Sequence, residues 1–365
     1  MIGIVINVAS DKGRARAAHA PHFRHLLGTA GQVVTTADLD QMRTAVRTLL
    51  DCGCRYLLAH GGDGSLHWLI NTVFATSGAS AFEQIAFLPL NSGSINYMAR
   101  ALGATGTPSQ IVRRVARMAT SDGALPVRRV QTLAVNATAS PEPVSRTVTS
   151  SRPTLCFSAT IAGYGRNFLD LYYARDRGHG PVWMTQVMLR LAATIARDSI
   201  RQRLLRSPDT GNADDGTRLS GFFRPALAHV WVDDELVCAP DGRPFEKWTV
   251  LNCGALPLNL SGILRIYPNA GAGAMQIQAA LVRPPQLLTL LPRLIAGRDV
   301  SAHLTTTGVD TRARQVRIRG LRGERFQPAL DGELTADMSE VEVALGPSVQ
   351  LITLANARGL RWERS

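Results

Sequence analysis

Two strand–loop–helix units with glycine at the turn constrain this chain more than anything else in it. In the first, the apolar run Leu57-Leu58-Ala59-His60 stops at Gly61-Gly62-Asp63-Gly64-Ser65, and Leu66, Leu69, Ile70, Val73 and Phe74 follow at helical spacing. In the second, Phe87-Leu88-Pro89-Leu90 runs into Asn91-Ser92-Gly93-Ser94, ahead of a helix from Ile95 to Leu102. A strand that gives way to a helix through such a loop is the building piece of a parallel sheet, because the helix carries the chain back to start the next strand. Glycine permits positive φ and a close approach of backbone to ligand. The helix that follows offers unpaired N–H groups and the positive end of its dipole, a seat for phosphate. Both loops leave a parallel sheet at the same carboxyl edge, where open α/β sheets bind ligands. One such loop reads as a tight turn; two, separated by one helix and one strand, favour a phosphate site.

Asp63 says more about the chemistry. A carboxylate among phosphate-cradling amides repels a polyphosphate unless Mg²⁺ stands between them or the acid accepts a hydroxyl proton. Either role suits phosphoryl transfer, which needs positioning, charge neutralisation and a base. The glycines on both sides of Asp63 argue against a plain turn or capping role. Other nucleotide machines are excluded. A Walker A loop needs Gly-Lys-Ser/Thr, and neither of the two lysines, Lys12 and Lys247, follows a glycine. No HRD or DFG sequence occurs, so the protein-kinase fold is excluded as well.

The rest of the first third continues the alternation. Ile2–Val8 reads as a buried strand, Ala15–Leu27 as a helix, Gln32–Thr35 as a strand, and Leu39, Met42, Val46 and Leu49 mark a helix. Arg55–His60 and Ile85–Leu90 are the next strands, and Gln110–Met118 is one more helix. Past Ala124 the texture changes to short strands: Arg129–Ala137, Pro153–Ile161, Ala226–Val232, Thr249–Cys253, Met275–Val282, Gln315–Ile318 and Val341–Val343. That pattern predicts an antiparallel sandwich or barrel. The expected fold is therefore an α/β domain with a parallel sheet followed by an antiparallel sandwich or barrel. Its divisions are 1–124, 125–345 with a helical insertion at 181–206, and 346–365 returning to the first domain. Thr138–Arg152 and Pro208–Arg218 read as loops.

At 365 residues, with 45% hydrophobic and 19% charged side chains, the chain is long enough for two cores and too apolar for a disordered one. The best apolar stretch, Leu281–Ile295, is broken by Arg283, Pro284, Pro285, Pro292 and Arg293 and is too short to span a bilayer. No secretory leader is legible, so a cytoplasmic protein is expected. Five cysteines, an odd number and scattered apart from Cys52-Gly53-Cys54, suggest neither disulfides nor a zinc site. The formal charge of +12 invites anionic partners, among them phosphorylated metabolites and acidic membranes. No pattern of stacking aromatics among basic residues points to nucleic acid.

These residues resemble the catalytic domain shared by diacylglycerol, sphingosine and ceramide kinases and their bacterial lipid-kinase relatives. The resemblance rests on GGDGS at Gly61–Ser65 and LPLNSGSINYMARALG at Leu88–Gly103, and it extends over nearly the whole chain. Asn7 with Ser10-Asp11-Lys12-Gly13 is similar to the family's first nucleotide loop, and Thr35-Thr36 to its Thr-Thr segment. Asn252-Cys253-Gly254, Pro268-Asn269-Ala270 and the late Asp331-Gly332-Glu333 fall where the family has its NG, P-x-A and DGE elements. The resemblance implies a Rossmann-like N-terminal domain, a C-terminal antiparallel β-sandwich, Mg²⁺–ATP between the two domains and a lipid hydroxyl as acceptor. Asp63 would be catalytic and metal-linked, and Glu333 the base. Asn7, Lys12, Thr36, Gly61, Gly62, Gly64, Ser65, Gly93, Ser94 and Asn96 would line the nucleotide. The partner implied is a lipid at an anionic membrane surface, with the enzyme cytoplasmic or peripheral on the inner membrane face; a homodimer is compatible with the sequence.

Some positions depart from the family pattern. Ser65 and Ser94 replace threonines, and the Asn91–Ser94 loop is two residues longer. Tyr97, Gly165 and Ala274 stand where members carry acids, the last associated with a structural metal. The competing readings are a non-catalytic nucleotide- or lipid-binding relative and an NAD-kinase-like enzyme. The helix at 181–206 sets Met184, Val187, Met188, Leu191 and Ile195 on one side and Arg190, Arg197 and Arg201 more to the other, a stripe that packs on its own core or lies on anionic lipid. His19, His22 and His25 recur at helical spacing and read as surface histidines.

Overall fold

The first strand, β1 (Ile2–Asn7), is buried from Ile2 to Ile6, as an unbroken apolar run must be when a sheet is covered on both faces. In the computed structural model it pairs in parallel with β2 (Gly31–Thr36) on one side and β3 (Tyr56–His60) on the other. β4 (Ala86–Pro89) adds in parallel to β3, for the order β2-β1-β3-β4. The structure describes residues 1–8, 17–93, 95–121, 123–138, 152–174, 181–205, 221–260, 264–271, 273–296, 298 and 300–355. The expected loops at 138–152 and 208–218 lie almost wholly outside these residues.

The helices between these strands follow the apolar spacing. They are α1 (Ala20–Leu27), α2 (Leu39–Asp51), α3 (Asp63–Ser77), α4 (Tyr97–Ala101) and α5 (Pro108–Ser121). Asp38 caps α2 by accepting the Gln41 N–H, and Met42, Ala45, Val46 and Leu49 face inward from it. The chain divides into two compact units, one of Met1–Ala134, Thr154–Cys156 and Gly346–Ser365, the other of Val135–Pro153 and Phe157–Leu345. Two strands, β5 (Val127–Thr138) and the last, β19 (Glu340–Ile352), contribute residues to both. In the first unit Gln350 and Leu351 of β19 pair in parallel with Ala86 and Phe87 of β4. The three-residue β6 (Thr154–Cys156) is held there by Asn71 of α3, whose amide exchanges two 2.8 Å bonds with the Leu155 backbone.

The second unit is antiparallel. One sheet contains β15 (Gly308–Ala313), β14 (Met275–Ala280), β11 (Val250–Gly254), β7 (Ser158–Gly163), β17 (Ala329–Leu330) and β18 (Glu333–Leu334), in that order. A second set joins β10 (Lys247–Trp248), β8 (Ala226–Val232), β16 (Gln315–Gly320) and the first residues of β19, with β9 (Glu235–Leu236) against β8. β12 (Leu258–Leu260) and β13 (Leu264–Ile266) form a hairpin. The single strand expected over Pro153–Ile161 is two, because the Asp331 carboxylate takes the Phe157 and Ser158 N–H groups at 2.9 Å and interrupts the ladder.

Among the described residues four helices complete this unit: α6 (Tyr164–Tyr173), α7 (Pro181–Leu205), α8 (Pro284–Ile295) and the short α9 (Ser301–Leu304). Val187 and Leu191 of α7 join Tyr164, Phe222, Val282, Leu290 and Leu304 in one buried cluster. Val187, Leu191 and Ile195 of the predicted stripe are thus buried in the unit's own core, and the Met184 side chain lies outside the described residues. Periodicity did not reveal α6 or α8. Gly163 and Gly165 punctuate the start of α6, and α8 opens on Pro284 and Pro285, which is permitted because first-turn N–H groups have no partner within the helix.

Candidate active site

The carboxyl ends of the first unit's strands are level. Asn7 is opposite Thr36, Ile6 opposite His60, and Ala59 opposite Pro89. All four strands therefore deliver their following loops to one edge.

The two glycine loops meet there. A Cβ placed on Gly62 would sit 2.7 Å from the Gly93 Cα, closer than real Cβ contacts come, so neither position accepts a side chain without the loops parting. The Ser92 N–H donates to the Gly61 carbonyl at 3.0 Å, and the Leu90 N–H to the Ala59 carbonyl at 2.9 Å. Gly61 lies directly against the Ser65 side chain, with no room for a Cβ. Gly64 follows as the second residue of α3, whose N-cap is Gly62.

Asp63 opens α3, and its carboxylate reaches the next helix. One oxygen accepts the Tyr97 N–H and the other the Met98 N–H, both at 3.0 Å. The capping role that the sequence argued against is thus real, and it serves α4, not the acid's own helix. Asn96, at φ +53°, closes the second loop: its Oδ1 accepts the Gly93 N–H and its Nδ2 donates to the Gly93 carbonyl, each at 2.7 Å. Arg100 donates to the Ile95 carbonyl and braces the loop from the helix side.

Asn7 donates from Nδ2 to the Ser65 Oγ at 3.4 Å, joining the end of β1 to the first loop. Thr36 is 1% exposed and its hydroxyl has no partner among the described residues, an orphan polar group at the sheet edge. Lys12 and Ser94 lie outside the described residues. Asn7, Thr36, Gly61, Gly62, Asp63, Gly64, Ser65, Gly93 and Asn96 thus share the carboxyl edge of a single sheet within the first unit.

The sequence reading missed a buried chain beneath these loops. His60, 1% exposed, contacts the Ser92 Oγ through Nδ1 at 2.8 Å and the His19 Nδ1 through Nε2 at 2.9 Å. The His19 ring stacks on it, and Phe23 meets it edge-on, both with centroids 5.1 Å away. His19 is therefore a partner of the site and not the surface histidine that spacing suggested. The one available signal was the position of His60, immediately ahead of the glycine loop.

Asp331 and Glu333 belong to the second unit. Asp331, at φ +52°, is the buried acid that holds Phe157 and Ser158, while half-buried Glu333 lies beyond it in β18. The Tyr173 hydroxyl donates to the Gly332 carbonyl at 3.1 Å and fixes the turn between them. Of the three departures from the family pattern, Tyr97 supplies a backbone N–H to Asp63 and buries its ring. Gly165 leaves little room for an acid, since its Cβ would be 3.0 Å from Thr160 Cγ2. Ala274 bridges Gly271 through the backbone.

Among the described residues no three His, Cys, Asp or Glu side chains cluster as a protein-made metal cage. The donors fit Mg²⁺ in another way. This ion keeps several waters and is commonly held by one carboxylate together with substrate phosphates, and Asp63 keeps lone pairs beyond the two it commits to amides.

Residues 1–125 match the diacylglycerol kinase catalytic domain family. The match covers the first unit's parallel sheet and both glycine loops. Solved structures extend the likeness in fold to the second unit. A diacylglycerol kinase from Bacillus anthracis str. Sterne superposes with a TM-score of 0.57 at 11% identity, covering 98% of this chain and 97% of its own. A candidate diacylglycerol kinase of the same strain gives 0.58 at 13% identity with the same coverage. At such identities the likeness is one of fold, a mixed α/β chain with a second, antiparallel part. No curated protein matches the sequence.

Proposed function

We propose that the protein is an ATP-dependent lipid kinase. The observation that carries this reading is the contact of Gly62 with Gly93, with Asp63 spanning the two loops, inside a part of the chain that matches diacylglycerol kinase catalytic domains. The turn at the head of α3 carries first-turn amides that suit an anion, and the second turn, whose Ser92, Gly93, Tyr97 and Met98 amides are already bonded, presses against it as a wall of that seat. Asn7, Thr36 and Ser65 border that seat with polar groups, and the orphan Thr36 hydroxyl awaits a partner of the kind a nucleotide offers. ATP is the phosphate donor in this reading, and its accompanying Mg²⁺ neutralises phosphate charge next to Asp63.

In the reaction proposed, the acceptor hydroxyl oxygen bonds to the γ-phosphorus as the bond from that phosphorus to the bridging β-oxygen breaks. ADP leaves with the electron pair, and the hydroxyl proton passes to a carboxylate. Because both Asp63 oxygens hold backbone amides, the proton acceptor assigned is Glu333, on the resemblance of its turn to the family's late DGE element. Asp63 positions the second loop and would hold the cation that accompanies the phosphates.

That double engagement of Asp63 also favours a second reading, a nucleotide-binding relative without turnover. Incubation with radiolabelled ATP and a panel of diacylglycerols, ceramides and sphingoid bases separates the two. Labelled lipid that vanishes in Asp63→Ala supports the kinase. ATP binding without labelled lipid supports the second reading, and absence of binding defeats both.

A further inference from the structure

The two histidines beneath the glycine loops share protons, and only certain arrangements of those protons close. His60 Nδ1 lies 2.8 Å from the Ser92 Oγ, and its Nε2 lies 2.9 Å from the His19 Nδ1. The Ser92 hydroxyl also donates to the Leu90 carbonyl at 3.1 Å. That carbonyl only accepts, and a serine hydroxyl has one proton to give. While Ser92 donates to Leu90, His60 Nδ1 must carry a proton and give it to Ser92. A neutral His60 then has a bare Nε2, which accepts from His19 Nδ1. The reverse arrangement also closes among neutral rings: Ser92 donates to His60, and the His60 Nε2–H donates to His19. It takes the hydroxyl away from the Leu90 carbonyl.

Charge on His19 removes the choice. A protonated imidazole donates at both nitrogens, so His19 then only gives to His60, and the chain runs one way to Leu90. His19 is the entry point for that proton, being half-buried where His60 is 1% exposed. Its helix, α1, packs against α5 and β2. The ionisable side chains on the two helices are all bases: His22, Arg24 and His25 on α1, and Arg113, Arg114 and Arg117 on α5. β2 carries no titratable side chain. On β3 the other titratable group is Tyr56, whose hydroxyl accepts the Leu125 N–H. No carboxylate on these elements pins His19 in its charged form, so solution pH sets it. Histidine ordinarily changes charge between about pH 5 and 8.

Ser92 is where this chain meets the phosphate seat. Its N–H donates to the Gly61 carbonyl at 3.0 Å, and the next residue, Gly93, is the one pressed on Gly62. We infer that His19 and His60 are positioning residues for that seat, and that a proton taken up by His19 fixes Ser92 in its bonds to His60 and Leu90 and so holds the second loop against the first. The effect on nucleotide rests on the kinase reading, whereas the proton chain itself stands without it.

Calorimetric titration with Mg–ATP from about pH 6 to about pH 8 tests it, with His19→Asn as the companion protein. The Asn amide offers a donor close to the position of His19 Nδ1 and takes up no proton. Titration of the nucleotide itself is common to both proteins and cancels in the ratio of their dissociation constants. Relative to His19→Asn, the wild type is expected to bind about fivefold more tightly at the lower pH than at the higher, the worth of about one hydrogen bond. In a His60→Ala background the His19 substitution should change nothing further. Nitrogen NMR of the imidazoles reads the chain without nucleotide: as His19 charges, His60 should settle into its Nδ1–H form. Parallel pH profiles for wild type and His19→Asn, tighter binding at the higher pH, a His19 effect that persists in His60→Ala, or a His60 tautomer indifferent to His19 would each overturn the inference. A wild type whose His60 shifts as expected but which binds no Mg–ATP would defeat the kinase reading and leave the proton chain standing.

Discussion

Gly62 and Gly93 lie backbone against backbone, 31 positions apart in sequence, with less than one side chain's width between them. The contact sets the spacing of the two amide-lined turns. Gly93→Ala is expected to part them, and because the clash is with backbone, relief must come from loop displacement. The expected cost is about 1–3 kcal/mol of stability, with loss of ATP binding at millimolar nucleotide. Thermal unfolding and calorimetry on the same samples check both.

Asp63 joins α3 to α4 through two amide bonds. Asp63→Asn keeps one acceptor oxygen and should retain most of the fold, whereas Asp63→Ala leaves two N–H groups without their acceptor and should cost about 1–3 kcal/mol. Both should abolish phosphoryl transfer, the Asn variant with the smaller loss of stability. Urea unfolding set beside the kinase assay separates the structural part from the electrostatic one.

Removing the buried His60 should loosen the second loop from below. His60→Ala is expected to raise the KM for ATP more than it lowers kcat, and Ser92→Ala to reproduce a milder version of that effect. A double variant no worse than His60→Ala would show that the two act through one contact.

The two acids of the late turn should behave differently. Asp331→Ala removes the acceptor of two backbone N–H groups and should lower stability by about 1–3 kcal/mol. Glu333→Gln should leave melting unchanged and depress kcat by a factor of about 100 or more. A Glu333→Gln enzyme with full kcat would remove this residue from the chemistry.

Tyr164 predicts an alkaline limit to stability. Burial, with the ring stacked on Phe222, pushes its pKa up to about 12 against a smaller lowering by a side-chain hydrogen bond with Thr249. The folded state thus holds the phenol proton more tightly than the unfolded chain. This contribution is fully present below pH about 10 and is lost as pH rises toward about 12. Tyr164→Phe should show less loss of stability across that window, as measured by urea unfolding at a series of pH values.

The sequence made the parallel half of the fold legible because β1, β3 and β4 are short, mostly apolar runs and the last two lead into glycine-bearing loops, and Ala226–Val232 in the second half stands where alternation placed it. Local pattern says nothing about partners distant in sequence. The His19–His60 and His60–Ser92 contacts join residues separated by 41 and 32 positions, and Asp63 finds its amides 34 and 35 positions on. The capping argument failed for that reason: it asked only about the helix Asp63 begins. α8 was hidden because prolines read as breakers, although the first turn of a helix tolerates them. On α7 periodicity found the stripe that faces the core and overlooked Val182 and Leu189, which stand out only once burial is known.

The central claim is that the turns at Gly61–Ser65 and Asn91–Asn96 together seat a nucleotide. Titration of the purified protein with Mg–ATP in a calorimeter tests it most directly. The account predicts saturable heat at or below millimolar nucleotide, abolished in Gly93→Ala and retained in Glu333→Gln. No heat from the wild type at millimolar Mg–ATP, or equal heat from Gly93→Ala, would contradict it.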